Sequence, residues 1–188
     1  MDSKINEYID CLKVYNEHTN VYSKKAYDQL GFHIQDSLCM ANMIENKKKV
    51  VVDMGSGSGL PAICIAIQNP LNKVYAVESR KKKIDFLNYA KLQLGLENLV
   101  VHHGDVASFI SVHQGSVDYI TAKAFKPIPE AYKWARRFRG FREAVLLIPV
   151  SDNQLELYPS SAEYITRVQE EMGVFLYLKI PLGGGSVF

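Results

Sequence analysis

The chain has 188 residues, of which 47% are hydrophobic and 22% charged, and its formal net charge is +2. This length predicts one domain spanning residues 1–188, and the composition excludes collagen-like, intrinsically disordered and disulfide-scaffold proteins. The charge excludes a wholly basic nucleic-acid binder, but it leaves a basic face open because a global sum hides local asymmetry.

The cysteines and the apolar runs indicate the compartment. The three cysteines are widely spaced and form no Cys-x-x-Cys pair, which is typical of a reduced protein and predicts no metal site. The apolar runs are far shorter than the roughly 20 residues of a membrane-spanning helix. The polar N-terminus also has no signal-peptide core. We therefore expect a cytoplasmic protein without a membrane partner.

Residues 1–47 are predicted to form a helical N-terminal extension. Within it, Ile5, Ile9 and Leu12 recur at spacings of four and three, which is the stripe of an amphipathic helix. A second helical region is expected from about residue 24 to 44. The lysines at its end are interpreted as a solvated charge run.

From residue 48 onward, short apolar runs alternate with helical patterns. The predicted strands are residues 50–54, 74–77, 99–101, 117–121, 144–148 and 174–180, and the predicted helices are residues 62–68, 82–94 and 127–137, with one more from the Ser160/Glu163 capping box to Gly173. This alternation predicts an α/β fold with a doubly wound, Rossmann-like parallel sheet. Only three residues follow the glycines at 183–185, so the last strand is expected to be shortened or absent.

The most informative stretch is Asp53-Met54-Gly55-Ser56-Gly57-Ser58-Gly59-Leu60, between the first strand and the following helix. Glycines let the backbone approach a ligand, and the helix N-terminus offers free N–H groups. The third glycine of a dinucleotide fingerprint would fall on Leu60, and no Gly-Lys-Ser/Thr of a P-loop follows. The Asp-x-Gly-x-Gly-x-Gly form indicates an S-adenosyl-L-methionine site, with a tight structural turn as the alternative.

Two acids follow the next two predicted strands at the same edge of the sheet. Glu78 ends the second strand, where a carboxylate can accept hydrogen bonds from both ribose hydroxyls. Asp105 follows the third strand and can accept from an adenine amino group. Either acid alone is more often a solvated strand end. Together with the glycine loop, they predict cofactor binding.

The chain resembles the glucose-inhibited division protein B family, whose members methylate N7 of a guanine in small-subunit (16S) ribosomal RNA. The resemblance covers about residues 8–135 and implies a class I methyltransferase fold that uses S-adenosylmethionine. It rests on several separated motifs: His33-Ile34-Gln35-Asp36-Ser37-Leu38, the loop from Asp53 to Leu60 with the following Pro61, Lys82-Lys83-Ile84-Asp85-Phe86-Leu87 with Leu94-Gly95-Leu96-Glu97-Asn98, and Thr121-Ala122-Lys123-Ala124-Phe125.

By position, the resemblance implies cofactor contacts at Gly55, Leu60, Val106, Ala107 and Lys123. The chain departs from the family pattern at some of these positions. The family prefers arginine at Lys123, and lysine keeps the charge without the planar fork. The family usually has an acid at Ala107. After the fifth strand, Ile148-Pro149-Val150 stands where the family often has a Leu-Lys-Gly type of segment.

Methylation at guanine N7 needs no general base, because this nitrogen has a free lone pair at neutral pH. Methylation of an exocyclic amine would call for an Asp/Asn-Pro-Pro-Tyr/Phe segment after the fourth strand. The sequence has no such segment there, which agrees with N7 as the target. Lys123 is therefore the expected catalytic residue, acting by electrostatic stabilisation near the methyl donor or the guanine.

The charge is unevenly distributed along the chain. Residues 121–142 hold seven basic side chains and one acid, whereas residues 150–188 hold five acids and two bases. Phosphate contacts need basic groups, so this segment agrees with the ribosomal RNA partner that the resemblance implies. Lys126, Arg136, Arg137 and Arg139 are expected to bind the RNA. We expect a monomer. Two alternatives stay open: a non-catalytic cofactor- or RNA-binding member of the family, and a methyltransferase that acts on another substrate.

Overall fold

The computed structural model describes residues 3–158 and 162–184. The helices are α1 (Ser3–His18), α2 (Leu30–Asn42), α3 (Ala62–Gln68), α4 (Lys81–Gln93), α5 (Val106–Val112), α6 (Ile128–Ala135) and α7 (Asp152–Leu157). The strands are β1 (Val50–Met54), β2 (Lys73–Glu78), β3 (Leu99–His103), β4 (Tyr119–Thr121), β5 (Val145–Val150), β6 (Ile165–Glu170) and β7 (Gly173–Pro181). Short 3-10 turns lie at Lys24–Gln29, Phe141–Glu143 and Ala162–Tyr164.

The strands form one seven-stranded sheet in the order β3-β2-β1-β4-β5-β7-β6. Strands β1 to β5 are parallel, and β7 runs antiparallel to both β5 and β6. The strand order reverses between β1 and β4, which in a doubly wound sheet opens a crevice at the carboxyl ends of these two strands. The predicted Rossmann-like architecture is confirmed.

Each face of the sheet has its own hydrophobic core. Val51 of β1 packs in the core beneath α1 to α4, and Val52 packs in the core beneath α5 and α6. This alternation follows from the period of two in a strand. A strand buried on both faces is a continuous apolar run, which explains why β1 is recognisable from the sequence.

The N-terminal helices pack on the core side that lies behind the glycine loop. The Tyr15 ring of α1 lies 5.3 Å from the ring of Phe86 on α4. The Tyr8 hydroxyl of α1 donates a hydrogen bond of 2.8 Å to the carbonyl of Ser58, which lies within the glycine loop. The helical extension therefore supports the loop directly.

The prediction of a helix that ends at Gly173 is wrong. Residues 165–170 form β6, which pairs with β7 from Ile165 opposite Leu178 to Glu170 opposite Gly173. The β-branched residues of this segment favour a strand, and the hairpin pairing outweighs a helical spacing of apolar residues. Glu163 lies in a 3-10 turn, and Ser160 lies outside the described residues.

The expectation of a shortened or absent last strand is also wrong. Because β6 is a strand, the sheet reaches seven strands, and β7 has nine residues. The glycine at 185 and the three residues after it lie outside the described part of the chain. Helices α5 and α7 were not expected from the sequence. Among residues 3–158 and 162–184, we find no helix that combines the length and the apolar character needed to cross a membrane.

Candidate active site

A cavity of about 450 Å³ opens at the carboxyl edge of the sheet, beside the glycine loop. Its walls come from the ends of β1, β2 and β3 and from the segment that follows β4. Of the residues predicted to bind cofactor or RNA, those that line the cavity are Gly55, Glu78, Asp105, Val106, Ala107 and Lys126. The cavity lining does not include Asp53, Gly57, Gly59, Leu60 and Lys123.

The glycine loop needs glycine for two physical reasons. Gly55 and Gly59 have φ angles of 75° and 96°, a region that other residues rarely adopt. A Cβ atom on Gly55 would lie 2.8 Å from the Phe125 ring, and one on Gly59 would lie 2.4 Å from the Ile63 side chain. Gly59 and the buried Leu60 thus serve close packing beneath the loop, whereas Gly55 faces the cavity.

Glu78 connects the glycine loop to the end of β2. One carboxylate oxygen, Oε2, accepts a hydrogen bond of 2.9 Å from the Gly57 N–H. The other, Oε1, accepts bonds of 2.9 Å from the N–H groups of Ser79 and Arg80. A carboxylate has about four acceptor positions, so one is left for a ligand. The predicted pair of ribose hydrogen bonds then requires one of these internal bonds to be exchanged.

Asp105 stands at the N-terminus of α5, where its Oδ1 accepts a hydrogen bond of 2.7 Å from the Ser108 N–H. This contact caps the helix and fixes the direction of the chain after β3. Val106 and Ala107 then form the first turn of α5 against the cavity. The geometry brings these three residues to the same wall as Glu78.

Asp53 is almost completely buried at the end of β1. Its Oδ1 accepts a hydrogen bond of 2.6 Å from the Thr121 hydroxyl, and its Oδ2 has no partner among the residues that the structure describes. Burial raises the pKa of this carboxyl to about 6. An unpartnered carboxylate oxygen behind the glycine loop is a favourable acceptor for a cation, and S-adenosylmethionine carries an ammonium and a sulfonium group. The residues present therefore fit this cofactor.

Lys123 is held by the N-terminal extension. Its Nζ lies 2.5 Å from Oδ2 of Asp36, 3.3 Å from Oγ of Ser37 and 3.2 Å from the carbonyl oxygen of His33. Asp36 also accepts a hydrogen bond of 2.7 Å from the Tyr177 hydroxyl. An ammonium has three donors, so these contacts use all of them. The motif from His33 to Leu38, one of the segments that carry the family resemblance, therefore holds the predicted catalytic lysine.

The segment after β4 is strained where it passes the cavity. Ala124 has a φ angle of 51°, which is unfavourable for a residue with a Cβ atom. This turn directs Lys123 toward α2 and places the Phe125 ring against Gly55. Backbone strain of this kind is frequent at functional sites.

Several cavity residues were missed by the sequence analysis, namely Lys83, Ala124, Phe125, Glu130 and Trp134. Lys83 Nζ lies 3.4 Å from the position of a Cβ on Gly57, and burial lowers the pKa of this lysine. The run of basic residues just after Glu78 was the signal available for Lys83. The aromatic residues gave no signal, because their distance to the loop depends on the turn at Ala124.

The basic segment begins at the mouth of the cavity. Arg137 stacks on the ring of Trp134 at 4.2 Å, and Arg136 lies 5.6 Å from the ring of the buried Tyr132. Arg139 donates a hydrogen bond of 3.0 Å to the Gln114 carbonyl, and Lys126 forms an ion pair of 3.2 Å with Glu130. The guanidinium groups are thus supported by the protein but remain on exposed residues.

Metal and thiol chemistry have little support in the structure. Among the residues that it describes, no group of three or more histidines, cysteines or acids could hold a metal ion. Cys64 is fully buried on α3, and burial raises the pKa of its thiol to about 12. This cysteine is therefore a packing residue rather than a nucleophile.

A seven-stranded sheet of this order, with a glycine loop after β1 and a buried acid ending β2, defines the class I fold of S-adenosylmethionine-dependent methyltransferases. A methyltransferase from Geobacter sulfurreducens has the same fold: the TM-score is 0.59 at 15% identity, over 96% of this chain and 97% of that chain.

The sequence model of the family described as rRNA small subunit methyltransferase G (GidB) matches residues 1–177. The ribosomal RNA small subunit methyltransferase G of Campylobacter hominis is 33% identical over 165 residues, which are 86% of this chain and 85% of that protein. The protein of the same name from Hydrogenovibrio crunogenus is 33% identical over 134 residues, 70% of this chain but only 60% of its own length. The chain belongs to the rRNA small subunit methyltransferase G family.

Proposed function

We propose that the chain transfers the methyl group of S-adenosylmethionine to N7 of a guanine in 16S ribosomal RNA. The observation that carries this proposal is the position of the cavity. It lies between a glycine loop fixed by Glu78 and the exposed basic residues Lys126, Arg136, Arg137 and Arg139. Membership of the rRNA small subunit methyltransferase G family supports the same activity.

The residues proposed to hold the cofactor fall into three groups. Gly55, Gly57, Gly59 and Leu60 shape the loop, Glu78 and Asp53 supply acceptor oxygens, and the turn of Asp105, Val106 and Ala107 closes the far wall. The bound cofactor supplies an electrophilic methyl group, and the protein supplies orientation. Guanine N7 attacks through its own lone pair, so no side chain has to remove a proton.

Lys123 is the proposed catalytic residue, and it also belongs to the proposed cofactor set. Its three donors are used by Asp36, Ser37 and His33, so a hydrogen bond from Lys123 to the guanine requires one of these contacts to be exchanged. One of the two longer contacts can be exchanged for guanine O6, which lies next to N7. Because Asp36 neutralises Lys123, the pair does not oppose the positive charge that passes from the sulfonium to the base.

RNA is proposed to bind along Lys126, Arg136, Arg137 and Arg139, with its phosphates on the guanidinium groups. We propose further that residues 1–188 act as one domain, with residues 1–47 as the extension and residues 48–188 as the core, and that the protein works as a cytoplasmic monomer. Tyr8 on Ser58 supports the coupling of the extension to the core.

The activity is tested with radiolabelled S-adenosylmethionine and three substrates: 16S ribosomal RNA from cells that lack the modification, 23S ribosomal RNA, and ribosomal protein. We expect label in 16S ribosomal RNA alone. Cofactor binding without any transfer favours a non-catalytic member of the family. Label in another substrate favours a methyltransferase with a different target.

The basic segment is tested by the salt dependence of RNA binding. Replacing Arg136 and Arg137 together by alanine should weaken binding and reduce the slope of log K against log salt by about 1.5, because each phosphate contact contributes roughly 0.7–0.9. The double replacement of Lys47 and Lys48 by alanine, outside the proposed interface, is the matched control and should leave the slope unchanged. An unaltered slope in the arginine variant would place RNA elsewhere.

A further inference from the structure

A second cavity, of about 360 Å³, opens at the same edge of the sheet and is not used by the proposed cofactor residues. It lies between α2, the carboxyl end of β5 and the start of β7. We propose that this cavity is the subsite for the guanine base that receives the methyl group. The inference rests on the proposed function and assigns the substrate base to named residues. The residues that define it are Phe32, Asp36, Pro149, Val150, Asp152 and Phe175.

The walls of the cavity offer a stacking surface. Phe32 lies against Phe175, with ring centroids 4.7 Å apart and an interplanar angle of 33°. Phe32 nevertheless remains 38% exposed, and the neighbouring Val174 remains 37% exposed. An aromatic ring that is half covered on a cavity wall can take a flipped base on its open part, as single-stranded RNA readers do.

The charge of the lining favours a base over a phosphate. Of the described residues that line this cavity, none is lysine or arginine, and two are acids, Asp36 and Asp152. Phosphate groups need basic partners, so the RNA backbone belongs on the basic segment near Trp134 rather than here. Pro149 and Val150 contribute to the apolar part of this lining.

Asp152 supplies the polar complement of guanine. The Watson–Crick edge of guanine carries two adjacent donors, N1–H and the N2 amino group, whereas that of adenine carries one donor and one acceptor. A carboxylate offers two acceptor oxygens and no donor, so Asp152 matches guanine alone. A base held in this way presents N7 on its opposite edge, where a methyl donor can reach it.

The two cavities are linked through the buried ion pair. Asp36 lines the second cavity, and its carboxylate lies 2.5 Å from Lys123 Nζ. Ala124, the next residue, lines the cofactor cavity. The wall of the base subsite at Asp36 is therefore joined, through Lys123, to the strained turn at Ala124 in the wall of the proposed methyl-donor site. The Asp36–Lys123 pair therefore reaches the base subsite through Asp36 and adjoins the cofactor cavity through Ala124, the neighbour of Lys123 in the chain.

The subsite is tested by steady-state methylation of 16S ribosomal RNA, with cofactor affinity measured in parallel by calorimetry. Asp152→Asn and Phe32→Ala should each lower kcat/KM for the RNA at least tenfold and change the Kd for S-adenosylmethionine less than twofold. Phe32→Tyr keeps the ring and should restore most of the activity. Glu156→Gln and Leu157→Ala, exposed positions on the same helix as Asp152, are matched controls and should behave as the unaltered protein.

A second measurement asks whether Asp152 reads the guanine edge. Once the methylated guanine is mapped, an RNA fragment with inosine at that position lacks the N2 amino group and keeps N7. The unaltered protein should methylate the inosine fragment at least fivefold less efficiently than the guanine fragment. Asp152→Asn should show a much smaller difference between the two.

Two results overturn the subsite while leaving the proposed function intact. They are variants of Phe32 and Asp152 that match their controls, and equal use of inosine and guanine by the unaltered protein. If those variants instead lose capture of a second protein and keep RNA methylation, the cavity is a protein-docking site. An unaltered protein that methylates no 16S ribosomal RNA refutes the proposed function, and the subsite falls with it.

Discussion

The buried ion pair between Asp36 and Lys123 gives the sharpest prediction about stability. The perturbation is Asp36→Asn, which removes the carboxylate charge and keeps an acceptor for the Tyr177 hydroxyl. The side chains of Lys123 and Asp36 are only 16% and 9% exposed, so water cannot replace the lost partner. The lysine is left charged among Ser37 and the carbonyl of His33.

The expected magnitude follows from this geometry. Removing one partner of a buried pair typically costs 3–5 kcal/mol, and the residual exposure places Asp36→Asn near the lower end, at about 3 kcal/mol. Asp36→Ala also deprives the Tyr177 hydroxyl of its carboxylate acceptor, which adds about 1–2 kcal/mol. Lys123→Met should cost about as much as Asp36→Asn, because it leaves the carboxylate unpaired.

The assay is urea-induced unfolding of the two single variants, the double variant and the unaltered protein. The double variant should be more stable than the sum of the single effects predicts, with a coupling free energy of about 2–3 kcal/mol. Asp85→Asn breaks the exposed pair between Lys81 and Asp85 and should cost at most about 0.5 kcal/mol. A cost below about 1 kcal/mol for Asp36→Asn, or additive single effects, would refute the reasoning.

Three further predictions concern the loop, the buried acid and the strained turn. Gly59→Ala should lower the free energy of unfolding by about 3 kcal/mol or more, because its Cβ would lie 2.4 Å from the Ile63 side chain on α3. Gly95 is also left-handed but has no atom within 4 Å of its Cβ position, so Gly95→Ala should cost only about 1 kcal/mol. Equal costs of the two replacements would contradict the packing argument. Burial raises the pKa of Asp53 to about 6 from 3.8, so the folded state binds the proton more tightly than the unfolded state. The stability of the unaltered protein relative to Asp53→Asn should therefore fall by about 2 kcal/mol between pH 4 and pH 7, and parallel pH profiles would contradict this prediction. Ala124→Gly removes a Cβ atom from a left-handed position, so it should raise the free energy of unfolding by about 0.5–1 kcal/mol and lower kcat. Lys48→Gly, at a φ of 58°, should stabilise the protein by a similar amount without affecting methyl transfer.

The cofactor side of the site could be predicted from the sequence because each of its elements is visible in a short stretch of the chain. A buried parallel strand is a continuous apolar run, and the glycine loop follows it directly, so both are visible in one short stretch. Glu78 ends β2 and Asp105 follows the end of β3, and the carboxyl ends of parallel strands meet at one edge. Their proximity in the structure thus follows from the order of the elements.

The segment at residues 165–172 shows where periodicity fails. Ile165, Val168 and Met172 are spaced as on a helix, yet the same residues pair with β7 as one strand of a hairpin and its turn. A short segment satisfies both patterns, and the partner strand decides between them. Pairing between β6 and β7 is a tertiary interaction that the local pattern does not show, which explains why the number of strands could not be predicted.

The substrate side of the site depends on contacts between distant parts of the chain. Asp36 and Lys123 belong to α2 and to the turn after β4, and no local pattern pairs them. The second cavity lies between three elements, α2, β5 and β7. The sequence predicts β7 as a strand that follows a helix, whereas in the structure it follows β6 in a hairpin. The role of the His33–Leu38 motif therefore becomes apparent only from the folded structure.

The central claim is methyl transfer to guanine N7 in 16S ribosomal RNA, and the direct test is the chemical identity of the product. Unmodified 16S ribosomal RNA is incubated with the protein and S-adenosylmethionine, digested to nucleosides and analysed by mass spectrometry against methylated guanosine standards. The account predicts 7-methylguanosine at a single position. Methyl groups on N1, N2 or another base, or no methylation of 16S ribosomal RNA, would contradict it.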